Sequence, residues 1–312
     1  MGRSRSSRPR AAPGVPSLRQ QMATALGDWH TLLPRPWRKS FTGRELDFAL
    51  IPEPVDGTAA VWPMAGGGPT SAHVFKALQK LEPHTVRVVV FGNDPYTRQE
   101  QATGRSFEQG DLTNWAADIR RRRVSPSMQS IVAAAVATDR KNAPYSLCDT
   151  RMVYDQADDA LNGLEPPLWF AHVELSRMLS DGIKLKPPTK IFDHWTRQGV
   201  LWLNTTLTFT KWDQTHREAH HALWAPFTAR MLEILVDSAR DRRIVLVLWG
   251  SAATNLEGTI RILAKRLAPP AGNVQICKAG HPQWPEGYFA HGNPLHHINR
   301  ALGKQGRPIS WV

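Results

Sequence analysis

Short apolar runs that stop at polar or turn-forming residues recur along the chain. Uninterrupted apolar runs of this length are typical of strands in a parallel sheet, because helices cover both faces of such a sheet. Segments with helical periodicity separate the runs, which predicts an α/β fold with a central four-stranded, twisted parallel sheet flanked by helices. The predicted strands are Val86–Phe91, Gly199–Asn204, Arg243–Trp249 and Val274–Ala279. The predicted helices lie near Leu18–Leu32, from Thr70 or Ser71 to about Leu81, and at Gln129–Thr138, Leu168–Leu179, Trp224–Ser238 and Pro294–Leu302.

The domain organisation follows from where these patterns start and stop. Residues 1–17 are rich in Arg, Ser and Pro, and we expect a disordered basic arm that adds non-specific affinity for DNA. The same stretch fits a myristoylation signal or an organellar transit peptide, and these remain alternatives. We expect residues 18–312 to form a single α/β domain, with an insertion at about 139–190 where the pattern is mixed and interrupted by prolines.

The charge of the chain narrows the class of partner. The net charge is +12 and the sequence pI is about 10.1, a balance typical of proteins that bind polyanions such as nucleic acid. The acid-free N-terminus accounts for part of this excess. Arg120–Arg123 and Arg240–Arg243 add to it within the domain.

The sequence gives little support for a metal site, an iron–sulfur cluster or a membrane span. The two cysteines, Cys148 and Cys277, are far apart, which excludes a cysteine zinc site and a four-cysteine iron–sulfur cluster within the chain and favours a reducing compartment. Histidines at helical spacing in His216–His221 can bind zinc, but we expect a loop before the Trp224 helix there. No apolar run is long enough to span a membrane. We therefore expect a cytoplasmic, nucleoid-associated monomer without a metal or cofactor, with organellar or nuclear targeting as the alternative.

Four polar residues follow the four predicted strands. Asp94, Asn204, Ser251 and His281 each come at or just after the end of an apolar run. Because ligands bind at the carboxyl ends of the strands in open α/β sheets, we expect these side chains to meet at one edge. Asp94 alone also fits an ordinary turn that caps backbone amides, but the combination of a carboxylate, an amide, a hydroxyl and an imidazole predicts an active site.

Six segments, in order, resemble the motifs of family 1 uracil-DNA glycosylases. VVVFGNDPYT is similar to the segment around the water-activating motif GQDPYH, and Gly104–Phe107 to GLxFS. Ser125-Pro126-Ser127 resembles the phosphate-binding PPSL loop, GVLWLNTTLT resembles GVLLLNxxLT, and VLVLWGSAA resembles VFLLWGxxA. The C-terminal part, from His281-Pro282 to His296–Leu302, resembles HPSPLS…GFF…TNELL. The resemblance covers roughly residues 62–132 and 193–311.

The resemblance implies a monofunctional glycosylase that flips uracil out of single- or double-stranded DNA and hydrolyses its N-glycosidic bond. It implies that Asp94 positions the attacking water, and that His281 donates to uracil O2 and stabilises the departing anion. It further implies that Asn204 reads the base edge, that Phe107 stacks on the base and that Tyr96 excludes the thymine methyl group. The remaining implied contacts are the backbone N–H of Asn93 to O2 and phosphate contacts by Ser125, Pro126, Ser127 and Ser251. Simple capping of the following helix is an alternative role for the Ser125–Ser127 segment.

The chain departs from the family pattern at three places. Asn93 stands where the family has Gln, and Thr97 replaces a His that supports the site. The segment HPQWPEG is shorter than its counterpart and lacks the Leu that fills the vacated base stack. Trp284 can supply the apolar bulk that such a wedge needs, or it can pack on the following helix.

These departures leave two alternatives to uracil excision. The first is a glycosylase for another deaminated base such as hypoxanthine, and the second is a catalytically weak DNA-binding protein with the same fold. Asn204 favours uracil because its amide offers both a donor and an acceptor to the base edge. Retention of both Asp94 and His281 argues against a protein that only binds DNA.

Overall fold

A computed structural model of the protein describes residues 16–53, 55–64, 71–139, 185–303 and 306–312. Its centre is a four-stranded sheet in the order β2-β1-β3-β4, in which every neighbouring pair is parallel. The strands are β1 Val88–Gly92, β2 Val200–Asn204, β3 Ile244–Trp249 and β4 Val274–Ala279. The predicted α/β fold with four parallel strands and flanking helices is confirmed.

Helices connect and cover these strands. Before β1 lie α1 Leu18–Leu26, α2 Trp29–Leu32 and α3 Arg35–Arg38, with 3₁₀ turns at Lys39–Phe41, Phe48–Leu50, Lys76–Leu78 and Pro83–Thr85. Between β1 and β2 lie α4 Trp115–Arg120, α5 Pro126–Asp139 and α6 Pro188–Arg197. After β2 come α7 Gln214–Asp237 with a 3₁₀ turn at Ser238–Arg240, then α8 Gly250–Thr254 and α9 Leu256–Leu267 after β3, and α10 Pro285–Phe289 and α11 Pro294–Leu302 after β4.

Alternate residues of each strand pack on opposite faces of the sheet, as strand geometry requires. Along β1, Val89 and Phe91 join a core formed with α1, α7 and α9, whereas Val88 and Val90 join a second core formed with α5, α6 and α11. Both cores are buried, and the first three strands are buried along their whole length. The result is three layers with the sheet in the middle, so polar side chains of β1, β2 and β3 can reach solvent only at the strand ends, whereas the edge strand β4 is partly exposed along its length.

Strand register brings the carboxyl ends of β1 and β2 together. Gly92 is paired with Asn204, the last residue of β2. A Cβ atom added to Gly92 would lie 2.3 Å from Oδ1 of Asn204 and 2.7 Å from Cβ of Ser106. The bare glycine therefore lets the Asn204 amide lie against the end of β1, immediately before Asn93 and Asp94.

The predicted helix ending at Leu81 is wrong over the described residues 71–81. The segment makes only the 3₁₀ turn at Lys76–Leu78, and Lys80 adopts a left-handed φ of +61°. Tertiary contacts override the helical pattern, since the backbone N–H of His73 donates to Thr103 O and Lys76 is buried against Glu108 at 3.3 Å. The four apolar positions of the pattern are buried nevertheless: Val74, Phe75, Leu78 and Leu81.

The predicted loop at His216–His221 is also wrong, because α7 begins ten residues earlier than Trp224. Asp213 caps the helix by accepting from the backbone N–H of His216 at 2.9 Å. Pro226 inside the helix did not prevent this extension. The first predicted helix is divided at Gly27 and Asp28, and α5 begins at Pro126 rather than at Gln129.

The predicted boundaries of the domain shift by a few residues. Ser17, assigned to the basic arm, belongs to the domain because its hydroxyl accepts from the backbone N–H of Gln20 and caps α1. Pro188–Lys190, assigned to the insertion, is the first turn of α6. Residues 1–15 of the arm, the helix expected at Leu168–Leu179 and most of the insertion lie outside the described residues.

Substitution of Gly92 by Ala should disturb the contact between β1 and β2. The added methyl group overlaps Asn204 and Ser106, so we expect a loss of about 1–3 kcal/mol in the free energy of unfolding, measured by urea denaturation. Gly258→Ala is the matched control, because its Cβ would meet nothing within 4 Å on the exposed side of α9, and a gain of up to about 1 kcal/mol is expected there. Equal stability of Gly92→Ala and wild type would contradict the close approach.

Candidate active site

The carboxylate of Asp94 lies just past the end of β1 and accepts three hydrogen bonds. Nε2 of His221 is 2.8 Å from Oδ1, while Nη2 of Arg217 and Nδ2 of Asn93 are 3.2 and 2.8 Å from Oδ2. Only 8% of the Asp94 side chain is exposed. A carboxylate offers about four acceptor positions, so this arrangement leaves room for one further donor such as water.

The surroundings of Asp94 favour its ionised form. Burial by itself would raise the pKa of Asp94, because it disfavours the charged carboxylate. The hydrogen bond and charge of His221, followed by those of Arg217, outweigh burial and lower the pKa below its ordinary value. Asp94 is therefore an anion at neutral pH despite being buried.

Arg217 and His221 are four residues apart on α7, so both project from one face of the helix towards Asp94. The spacing of four residues is visible in the sequence, but it indicates a shared face only in a helix, and a loop was predicted before Trp224. Thr97, which stands where the resemblance implies a supporting histidine, is exposed. The imidazole beside the carboxylate thus comes from a helix instead of from the loop after β1.

His216 and His220 project from other sides of the same helix and do not form a metal site. His220 is buried between the hydroxyls of Thr208 and Thr210, at 2.9 and 3.0 Å, and burial lowers its pKa to about 3. His216 contacts the Asp213 carboxylate at 2.8 Å. Among the described residues, no group of three or more His, Cys, Asp or Glu side chains is arranged to hold a metal ion.

Asn204 presents its amide at the strand end beside Asp94. The residue is 3% exposed, and its side chain lies over Gly92. The backbone of the next two residues is fixed to the β1 end, because the N–H groups of Thr205 and Thr206 donate to Gly92 O and Asn93 O. Within the part of the chain that the structure describes, the Asn204 amide has no side-chain hydrogen bond, so both its donor and its acceptor are available to a ligand.

Phe107 provides an aromatic ring in a strained backbone position. Its φ is +61°, a left-handed value that costs a bulky residue about 1–3 kcal/mol. The ring lies 5.7 Å from that of Trp249 and 5.9 Å from that of His281, measured between centroids. An ionic network under the segment holds it, since buried Glu108 accepts from Thr103 at 2.7 Å and from Arg105 at 3.2 Å.

Tyr96 is anchored at its hydroxyl by Phe107 and Ser125. The hydroxyl donates to the backbone O of Phe107 at 3.1 Å, and the Ser125 hydroxyl is 2.9 Å away. Burial raises the pKa of Tyr96 to about 12, so the phenol stays protonated. Ser125 also accepts from the backbone N–H of Met128 at 3.4 Å, so it makes a capping contact with α5.

His281 faces the same region from the end of β4. Burial lowers its pKa, which favours the neutral imidazole. The backbone N–H of Gln283 donates to Nδ1 at 3.2 Å, so the proton of the neutral ring is on Nε2. Gly250, with φ +81°, permits the approach of His281, because a Cβ atom there would lie 2.9 Å from that of His281. The imidazole is thus a neutral donor through Nε2.

The remaining predicted residues lie around this centre. Pro126 and Ser127 are half-buried in the first turn of α5, and Ser251 is exposed at the start of α8. Trp284 is 59% exposed and precedes α10, with its backbone N–H donating to His281 O at 2.9 Å. A wide surface contact of the Trp284 ring with α10 does not fit this exposure.

The opposite end of the sheet carries a basic cavity of about 810 Å³. Arg87, Arg242 and Arg243 line it at the amino ends of the strands. Their guanidinium groups donate to backbone carbonyls, including those of Gln198, Val86 and Ala301. These arginines therefore fix the backbone at the end of the sheet opposite Asp94, and they account for part of the positive charge without contributing to the site.

Among the helices that the structure describes, none is long and apolar enough to cross a bilayer.

The arrangement suits cleavage of a bond whose breaking creates a cation and an anion. A buried carboxylate can stabilise developing positive charge, and a neutral Nε2–H donor can stabilise developing negative charge. An aromatic ring and an unpaired amide between them can hold a flat, polar ring.

Comparison with known proteins gives a family match. The family model "Uracil DNA glycosylase superfamily" matches residues 79–300. Curated relatives called uracil-DNA glycosylase include a Pseudomonas aeruginosa protein, 27% identical over 247 residues that cover 78% of each chain. One from Deinococcus radiodurans is 26% identical over 245 residues, covering 78% of this chain and 73% of the relative. The crystal structure of mimivirus uracil-DNA glycosylase aligns with a TM-score of 0.53 at 17% identity, over 96% of this chain and 95% of the other, which supports the fold.

Removal of His221 should shift the titration of Asp94. The folded-state pKa of Asp94 is lowered, so its ionised form stabilises the fold at pH values above the unfolded pKa of about 4, and this contribution is lost as pH falls through the folded pKa. His221→Ala removes the strongest lowering contact, so the loss should occur at higher pH. The Asp94 carboxyl carbon, followed by NMR against pH, reports this directly. His84→Ala, which removes an exposed imidazole 3.4 Å from Glu82, should leave the Asp94 titration unchanged; an unchanged titration in His221→Ala as well would refute the contact.

Proposed function

The chain belongs to the uracil DNA glycosylase superfamily, and from this premise we propose that it excises uracil from DNA by hydrolysis of the N-glycosidic bond. The product is an abasic site, and no lyase step follows. The observation that carries this proposal is the combination of ionised Asp94 with a neutral His281 that holds its proton on Nε2. These two groups match the two charges that separate when the bond breaks.

Asp94 acts on the sugar side of the bond. The carboxylate faces the positive charge that develops on the deoxyribose and orients the attacking water through its remaining acceptor position. Its lowered pKa makes it a poor proton acceptor before bond cleavage, so electrostatic stabilisation is its main contribution. Water is activated late, when the sugar is already a strong electrophile.

His281 acts on the base side. The departing uracil carries negative charge on O2, and the Nε2–H of the neutral imidazole donates to that oxygen. A neutral donor suits this task because it stabilises the anion without the solvation cost of burying a second charge. No metal ion or cofactor takes part in the proposed reaction.

Recognition of uracil falls to Asn204, Phe107 and Tyr96. The free amide of Asn204 donates to O4 and accepts from N3–H, which also disfavours cytosine because cytosine presents the opposite pattern. Phe107 stacks on the base, a contact worth roughly 1–3 kcal/mol. The ring of Tyr96, fixed through its hydroxyl, blocks the position of a thymine methyl group.

The backbone of the DNA is held at the start of two helices. Ser125, Pro126 and Ser127 at α5 and Ser251 at α8 contact phosphates on either side of the flipped nucleotide. Trp284, exposed three residues after His281, enters the stack that the flipped base leaves. The chain acts as a monomer, and its net charge of +12 favours association with DNA.

Base release from a single-stranded oligonucleotide containing one uracil tests the proposal. We expect release of uracil and no release of thymine. Matched oligonucleotides that carry hypoxanthine in place of uracil test the alternative substrate. Asp94→Asn and His281→Leu should each lower kcat by at least about 100-fold, the usual effect of losing one preorganised charge-stabilising group. Preferential release of hypoxanthine, or salt-sensitive DNA binding without any base release, would overturn uracil excision. Full activity in both variants would overturn the assigned roles.

Trp284→Ala should separate duplex from single-stranded substrates. Flipping from a duplex costs a few kcal/mol for unpairing and unstacking, and a wedge offsets this cost only where a stack exists. We expect kcat/KM to fall about tenfold or more on duplex DNA with little change on single strands, while Ile262→Ala, at an exposed apolar residue of α9, changes neither. Equal losses on both substrates would contradict the role of a wedge.

A further inference from the structure

A second exposed tryptophan, Trp212, lies close to Asp94 and has no part in the proposed chemistry. Its side chain is 64% exposed, between β2 and α7. The guanidinium carbon of Arg217 lies 4.4 Å from the centroid of the Trp212 ring, and Nη2 of the same group is 3.2 Å from Oδ2 of Asp94. One guanidinium group therefore connects the exposed ring to the catalytic carboxylate.

The ring borders a cleft of about 600 Å³ that opens beside the site. Its lining includes Trp212, Arg217 and His221, and the last two contact Asp94 directly. Phe209 supports the Trp212 ring from the protein side, with centroids 6.0 Å apart. Single exposed apolar side chains are common on protein surfaces, but this ring borders a cleft that also contains two partners of Asp94, and a supported ring is already oriented for stacking.

The charges around the cleft favour a base over a phosphate. Arg217 in the lining is positive, as is Lys211 next to Trp212 in the sequence, but the carboxylates of Asp213 and Glu218 also line the cleft. The Asp213 carboxylate is engaged by His216 at 2.8 Å, and that of Glu218 accepts from Gln214 at 2.8 Å. Two carboxylates at the rim repel a phosphate group but tolerate a neutral nucleobase, whose flat face needs only an aromatic or guanidinium plane.

We propose that Trp212 and Arg217 form a stacking subsite for the base that adjoins the flipped nucleotide in the DNA strand. This inference rests on the proposed function, because it takes the occupant of the Asp94 site to be a nucleotide of DNA. Stacking there fixes the strand next to the reacting sugar, and it is insensitive to the identity of the base because every base has a π face. The subsite lies on the α7 side of Asp94, away from the helix starts proposed for the phosphates.

The test compares single-stranded oligonucleotides in which the base on the 5′ or the 3′ side of uracil is either present or replaced by an abasic tetrahydrofuran. For wild type, loss of the stacked neighbour should raise KM about 5- to 150-fold, the stacking free energy of roughly 1–3 kcal/mol converted at 1.4 kcal/mol per tenfold, with little change in kcat. Trp212→Ala should show the same rise with the intact strand and no further rise with the abasic neighbour. Trp212→Phe should retain most of the affinity, and Ile262→Ala should behave as wild type.

Anisotropy of a labelled oligonucleotide with 2′-fluoro-deoxyuridine, which resists hydrolysis, supplies a readout that does not need turnover. One possible result is that the abasic neighbour weakens binding to wild type but not to Trp212→Ala, while no uracil is released from the normal substrate. That result would overturn the proposed function but support the subsite. Uracil release with independent, multiplicative effects of Trp212→Ala and of the abasic neighbour would overturn the subsite. An unchanged KM for wild type with either neighbour removed would do the same.

Discussion

The burial of the Asp94 charge is the constraint on which the site depends. An ionised carboxylate that is 8% exposed is costly unless donors surround it, and the loop after β1 supplies only the amide of Asn93. The other two donors come from α7, which must therefore begin early enough to place Arg217 and His221 over the strand end. The cap at Asp213 gives the helix that start.

Sequence patterns predicted the parts of the molecule that depend on local rules. Buried strands in a three-layer fold need continuous apolar runs, so β4 was predicted to the residue and the others to within two, and the strand ends located Asp94, Asn204 and His281. The helix predicted up to Leu81 failed because the burial of Lys76 against Glu108, a contact between distant segments, decides the backbone there. The helix was predicted to start at Trp224 instead of Gln214, because the prediction did not include Asp213 as a cap. The contacts of Arg217 and His221 with Asp94 were therefore not predicted.

The site shows how one requirement can be met from a different element. Thr97 is exposed, and an imidazole reaches Asp94 from His221 on α7. A helix holds such a group more rigidly than a loop does, and α7 is further tied down by His220 between Thr208 and Thr210. Asn93, which replaces a longer side chain implied by the family resemblance, is short enough to donate to its own neighbour, Asp94. The two departures at this loop therefore both bear on the same carboxylate.

The position of Arg217 follows from the relative strength of its two contacts. At a separation of about 4 Å and an effective dielectric constant of about 20, the attraction between its charge and Asp94 is about 4 kcal/mol, whereas a cation–π contact at an exposed ring contributes about 0.5–1 kcal/mol. The ion pair therefore decides where the guanidinium lies, and Trp212 packs beside it. A base that stacks on this platform has no need to displace Arg217 from Asp94, so binding of the strand and burial of the carboxylate do not compete.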